Sequence, residues 1–403
     1  MLHRLEIENF HSIRERQVID LVARGNASNE DGRLAPLWPG SKELAPKVVA
    51  VFGANAAGKT NVLLALKFLV NFVQTPHPKA ANWHLRFLND EAHRSSSYFC
   101  VHFSGPEDLT RTADADTQQC RYEYELTLGH SDEFGQIVES ERLSFWPQHA
   151  KRQVRIFERN NEGGVKFHKD LVIGRDYLSL LKLGLPRNAS VIAVLGSVGH
   201  VALQFFISQA NLILTYIALE NDTPISSEVV DFYLKNPSVL VQLNKDIDAL
   251  GLGIHKIEIT TSQDRTFMMF HHEGLIQPII SQFESNGTRQ AVKLFPYIGV
   301  VLSRGGIAVI DELDQALHPF VLSEVVRWFH DPIRNPHNAQ LWMTCQNASL
   351  LHELDKEEVL FCEKDSKGQT SVYSLADVKG ARRGEDFYKK YLGGVYGAVP
   401  QIG

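Results

Sequence analysis

Residues Lys47–Val70 read KVVAVFGANAAGKTNVLLALKFLV. The apolar run before Gly53 suits a strand buried on both faces. It leads into Gly53-Ala54-Asn55-Ala56-Ala57-Gly58-Lys59-Thr60, which satisfies GxxxxGK[ST]. Beyond the loop, Val62, Ala65, Leu66, Leu69 and Val73 recur at helical spacing, and Pro76 and Pro78 mark the end of that helix. Strand, loop and helix in this order are what a phosphate cradle requires. Backbone N–H groups of the loop and the helix N-terminus point at phosphate oxygens, Lys59 reaches the β and γ oxygens, and the Thr60 hydroxyl binds Mg²⁺. A chance match arises in roughly one or two chains in a hundred of this length, and the flanking elements lower that rate further. The expectation is a nucleotide held by residues 53–61, Asn61 included.

A second stretch completes the chemistry. In GGIAVIDELDQALHP, Ile307–Ile310 is a short apolar strand, and Asp311 sits at its C-terminal edge, where ligands bind in open α/β sheets. Asp311 is expected to hold Mg²⁺ through water, and Glu312 to polarise the attacking water as a general base. Two adjacent acids could also be a solvated strand end; the phosphate loop about 250 residues upstream favours the functional reading. So long a separation argues against a small GTPase or a nucleotide kinase. The NKDID at Asn244 resembles a guanine-reading motif but has the wrong spacing and a helical setting.

Composition bounds the rest. The 403 residues, 44% apolar and 22% charged, suffice for one large domain or two ordinary ones. No apolar run reaches membrane-spanning length and the N-terminus lacks a signal-peptide core, so a cytoplasmic protein without membrane attachment is expected. Cys100, Cys120, Cys345 and Cys362 lie far apart, form no CxxC pair and read as buried free thiols of a reducing cytosol, not as disulfides or metal ligands. A net charge of −6 argues against a chain that is basic overall, which leaves a local basic patch open.

Along the chain, residues 1–22 read as strands, 23–46 as a loop, 97–170 as an antiparallel meander with a polar loop over Thr110–Gln119, and 176–250 as packed helices without heptads. Residues 285–375 alternate helix and strand, as in a parallel sheet covered by helices.

These motifs resemble the ATP-binding-cassette-type heads of the RecF, SMC and OLD group. IENFHSI at Ile7–Ile13 looks like their N-terminal strand motif, GANAAGKTN like their Walker A, and DELDQALHP like their Walker B and D-loop. ESNGTRQ at Glu284–Gln290 is similar to their S-x-G-T signature, and MTCQNASLL at Met343–Leu351 to their switch strand. The strands around Tyr122 and Ile137, the IFER strand and the closing YLGGVYGAVPQI resemble the abortive-infection branch, the ATPase subunits of Septu, PARIS and retron-type phage-defence systems. The resemblance implies an α/β fold: a P-loop head, residues 1–170 and 256–403, of mixed sheet with helices plus an antiparallel β subdomain. Residues 171–255 would be a helical insertion and a candidate partner surface. The cofactors implied are ATP and Mg²⁺, the latter on Thr60 and Asp311, with Lys59, Glu312 and Gln346 as catalytic residues. Ser285, Gly287 and Thr288 would meet the γ-phosphate held by a second copy, so a head-to-tail homodimer is implied.

Two departures matter. Ala56 replaces a glycine usual in transporter cassettes and fixes the loop more tightly. Gln346 stands where the switch histidine is usual; it can hydrogen-bond a phosphate but cannot carry a proton, which points to slow hydrolysis. No heptad arms, fused TOPRIM, HNH or His/Cys metal cluster is legible, so a separate effector, such as a nuclease or toxin, is expected, with a phage protein as trigger. Three readings stay open at this level: a defence ATPase, a DNA-repair head acting on DNA directly, and a scaffold cemented by ATP without turnover.

Overall fold

The computed structural model describes residues 1–24, 29, 31–76, 86–87, 95–109, 117–133, 135–150, 152–168, 174, 177, 184–217, 225–262 and 265–400. A six-stranded sheet organises them. Its order is Ile213–Tyr216, Ile307–Ile310, Gln340–Thr344, Val48–Phe52, Val359–Lys364, Thr370–Ser374; the first five strands are parallel and the last is antiparallel. The sequence alternates between two cores with the period of two that a strand imposes. Val49, Val51, Val309, Trp342 and Leu360 face one way, against the helix Lys59–Gln74. Val48, Ala50, Phe52, Ala308, Ile310, Leu341 and Met343 face the other, against the helices Asn286–Arg304 and Pro319–His330.

The first core is roofed by a seven-stranded antiparallel sheet in the order Val165–Phe167, Val154–Arg159, Gly135–Trp146, Gln119–Ser131, Ser97–Pro106, Leu2–Glu8, Gln17–Asp20. Tyr122, Tyr124, Leu126 and Leu128 point inward from one strand, as their alternation requires. The helix Lys59–Gln74 lies between the two sheets and buries Val62, Ala65, Leu66, Leu69 and Phe72. Burying the valine, leucine and phenylalanine side chains among these contributes about 1.5–3 kcal/mol each. The mixed α/β architecture with an antiparallel subdomain is as expected.

Two expectations need correction. Residues 23–46 are not all loop, because Leu34–Pro36 and Leu44–Pro46 pair as a short hairpin. Nor is 171–255 a helical insertion, although most of 171–183 lies outside the described residues. Ile213–Tyr216 is the edge strand of the parallel sheet, and Asp311 N–H donates to the carbonyl of Tyr216. The helices Val191–Ser197 and Val201–Ala210 bury Ile192, Leu195 and Leu203 in the first core, while Tyr233, Leu243 and Ile247 sit in the second. The physical reason is clear at Tyr233. Pro296 interrupts the helix Asn286–Arg304 and cannot donate to the carbonyl of Val292. The Tyr233 hydroxyl donates to that carbonyl instead, at 2.8 Å in a buried position. An apolar run with short helices looks detachable in sequence; here it supplies an edge strand and repairs a helix.

The polar loop expected over Thr110–Gln119 falls mostly outside the described residues. No single helix among the described residues is long and apolar enough to cross a membrane.

Candidate nucleotide site

The phosphate loop closes at the C-terminal edge of the parallel sheet. Residues 55–61, Glu312, Thr344, Gln346 and Lys364 line a cleft of about 410 Å³. Two glycines are required by contact. A Cβ on Gly53, at φ +151°, would stand 2.3 Å from the carbonyl oxygen of Cys362; one on Gly58, at φ +99°, would stand 2.2 Å from Thr370 Oγ1. Ala56 adopts φ +62°, the left-handed region that costs an alanine about 1 kcal/mol or more. Its backbone thus takes the conformation a glycine would adopt freely.

Lys59 curls back over the loop, its Nζ donating to the carbonyls of Gly53 (2.9 Å) and Ala54 (3.1 Å). Burial pulls its ammonium below the usual lysine range, while Cys362, Asp314, Glu312 and Asp311 oppose the shift. A phosphate brought beside this desolvated ammonium would favour its charged form and oppose the shift that burial causes. Thr60 Oγ1 lies 3.1 Å from both oxygens of Asp311, across 251 residues of sequence. Thr344 Oγ1 donates to Asp311 Oδ1 at 2.6 Å and itself accepts from the Glu312 N–H at 2.7 Å. A threonine hydroxyl and a carboxylate fixed side by side form a hard-oxygen donor pair, which fits Mg²⁺. Thr60 and Asp311 would hold that ion, which would neutralise phosphate charge.

Glu312 is left-handed, at φ +51° and ψ +42°. Such strain costs of order 1–3 kcal/mol and concentrates at functional sites. It lets Asp311 and Glu312 turn toward different neighbours. Gln346 Nε2 donates to Glu312 Oε1 at 3.2 Å, so the glutamine at the switch position touches the candidate base. Asp314 Oδ2 accepts from the N–H groups of Gln346 (2.8 Å) and Asn347 (2.7 Å), tying the switch loop to the Walker B turn.

Several working residues escaped the sequence reading. Thr370 Oγ1 donates to the carbonyl of Ala57 at 2.8 Å, Ser12 Oγ lies 2.7 Å from Thr370 Oγ1, and Asn61 Nδ2 donates to Ser12 Oγ at 2.6 Å. This chain of hydroxyls fastens the turn after the first strand to the phosphate loop. Ser12 lies inside IENFHSI and Thr344 and Asp314 inside quoted motifs, so a signal existed for them. Thr370 and Lys364 carried none. Asn244 is structural: its side chain bonds both backbone groups of Ile257, at 2.9 and 2.5 Å.

Ser285, Gly287 and Thr288 do not line this cleft. Ser285 caps the helix Asn286–Arg304, its Oγ accepting from Thr288 N–H at 3.1 Å. Thr288 is buried, with its hydroxyl 2.9 Å from that of Ser285, so it presents no free face of its own. Ser285, Asn286 and Gly287 are exposed. Beneath them Glu284 is buried, pairs with His272 Nε2 and accepts from Ser285 N–H at 3.3 Å.

The fold and cleft define a P-loop α/β protein. No family model and no curated protein matches the sequence. Among solved structures, the SMC head domain from Thermotoga maritima is 13% identical, with 93% of this chain and 98% of that one covered, at a TM-score of 0.43. The Smc head domain from Pyrococcus furiosus, with an extended coiled coil and bound to the C-terminal domain of ScpA, is 11% identical, with 93% and 96% covered, also at 0.43. Likenesses this distant transfer neither a site nor an activity; the strand order and the contacts above stand on their own.

Proposed function

We propose that this chain is an ATP-binding head with slow hydrolysis that works as a nucleotide-gated dimer. The observation that carries the reading is the convergence of Thr60, Asp311, Glu312 and Gln346 at the mouth of the phosphate loop. Lys59 and the loop N–H groups bind the triphosphate, and Thr60 and Asp311 hold Mg²⁺. Glu312 accepts a proton from the attacking water. Gln346 orients Glu312 but cannot itself relay the proton, which supports slow turnover. The exposed Ser285–Gly287 turn, outside its own cleft and at a helix N-terminus, fits the γ-phosphate of a second copy.

We further propose that the dimer serves as the sensor and scaffold of an anti-phage complex, restraining a separate toxic effector. The support is the sequence resemblance to abortive-infection heads. A direct DNA role is the competing reading, and it requires ATP-dependent, salt-sensitive DNA affinity. The experiment is size and turnover in parallel: ATP should convert monomer to dimer, and Glu312→Gln should hold the dimer while hydrolysis stops. A wild-type chain that binds no ATP overturns the reading.

A further inference from the structure

The antiparallel sheet carries, on its outer face, a group of side chains that the nucleotide cleft does not use. Cys100 and His102 are two apart on the strand Ser97–Pro106, so they share one face, while Phe99 and Val101 between and beside them enter the core. The register with the next strand sets His102 directly opposite Glu123. The thiol of Cys100, a ring nitrogen of His102 and a carboxylate oxygen of Glu123 all lie within 4.8 Å of one another. His102 Nε2 and Glu123 Oε2 are already 3.2 Å apart, close to the spacing of about 3.2–3.6 Å between ligands of a tetrahedral zinc. The side chains are largely enclosed: Cys100 is 2% exposed, His102 13% and Glu123 17%.

We propose that Cys100, His102 and Glu123 form a zinc-binding site, with a water in the fourth position. The charge count fits. A thiolate, a neutral imidazole and a carboxylate sum to −2 and match a divalent cation. The neighbouring acids are committed elsewhere, Glu6 to Arg4 and Arg16, and Glu125 to Arg142 and Tyr98. A sulfur, nitrogen and oxygen donor set selects zinc over magnesium or calcium. Outer support is present as well: Gln153 Nε2 donates to Glu123 Oε1 at 2.5 Å, leaving Oε2 turned toward the site, and Trp146 flanks the imidazole with ring centroids 5.7 Å apart.

Zinc takes the thiolate form of a cysteine, so binding at this site would release the Cys100 thiol proton. Wide spacing in sequence hid the cluster, because Glu123 lies on a different strand and no CxxC motif announces it.

The test uses the full chain, stripped with a chelator and reloaded with Zn²⁺ or Co²⁺. One equivalent of zinc per chain is expected, and the cobalt form should show a sulfur-to-cobalt charge-transfer band. Cys100→Ser and His102→Gln should each abolish the band with nucleotide binding kept. Gln153→Ala, on a surface side chain that leaves the fold intact, should weaken zinc about 10–100-fold. A wild-type chain that shows no charge-transfer band, or a band that survives both Cys100→Ser and His102→Gln, overturns the proposal.

Discussion

The two parts of the proposed nucleotide grip are held in opposite ways. The phosphate-loop half is fastened by bonds between residues far apart in sequence: Thr60 to Asp311 across 251 residues, Thr370 to Ala57 across 313, Asn61 to Ser12 across 49. The Ser285 half is fastened locally, by its own cap to Thr288 and by Glu284 to His272, 12 residues back. The first is a preformed cradle that the whole sheet holds in shape. The second is an exposed turn at the start of a 19-residue helix, outside the lining of the cleft. A half-site of the first kind can bind alone. One of the second kind, in the dimer proposed above, would act only when a second copy meets it.

That contrast can be broken most sharply at Glu312. Glu312→Gln keeps the size of the side chain and removes its basicity, so turnover should fall by about 10²–10⁴-fold. Binding should persist, because the proposed phosphate contacts lie on Lys59 and the loop. ATP-dependent dimer should therefore accumulate, read by light scattering after ATP addition. Undiminished phosphate release would show that Glu312 is not the base.

Lys59→Ala attacks the cradle itself. Charge-assisted contacts of this kind are worth about 1.5–3 kcal/mol, so ATP affinity should drop about ten- to a hundredfold by calorimetry. Thermal stability should change little, since among the described residues the Lys59 ammonium bonds only the carbonyls of its own loop. Loss of the dimer in the same variant would place ATP binding upstream of pairing.

The Ser285 turn should respond in the reverse pattern. Ser285→Ala removes the cap and should cost about 1 kcal/mol in a denaturant melt. ATP affinity at protein concentrations too low for pairing should stay unchanged, whereas the ATP-dependent dimer should weaken. A variant that loses ATP affinity as a dilute monomer would merge the two halves into one site.

Much of this was legible because it is local or periodic. The strand–loop–helix unit at Lys47–Val70 and the strand Ile307–Ile310 follow from residue spacing alone. What was not legible depends on register and crossovers. Nothing in the segment around Ile213 says that it extends the parallel sheet, since a four-residue apolar strand and a buried helix turn look alike. Pro296 lies inside the helix Asn286–Arg304, and only packing shows that Tyr233 takes up the carbonyl it leaves without a donor. Thr370 became part of the site because the last strand folds back antiparallel beside its neighbour and brings a hydroxyl under the phosphate loop. Cys100 and Glu123 met for the same kind of reason.

The smallest expected effect lies at Ala56, and it tests how far the cradle is preformed. The alanine is held at φ +62°, at a cost of roughly 1–2 kcal/mol that a glycine would not incur. A glycine would in turn loosen the unfolded chain by about 0.5–1 kcal/mol. The two terms nearly cancel, so Ala56→Gly should shift stability by less than about 1 kcal/mol. The loop would, however, lose its restriction to one backbone well and would have to be ordered by the nucleotide. ATP affinity should then fall by a factor of a few, with a more unfavourable binding entropy in calorimetry. Unchanged affinity and entropy would mean that the bonds from Thr370 and Ser12, and not the alanine, hold the loop in its binding shape.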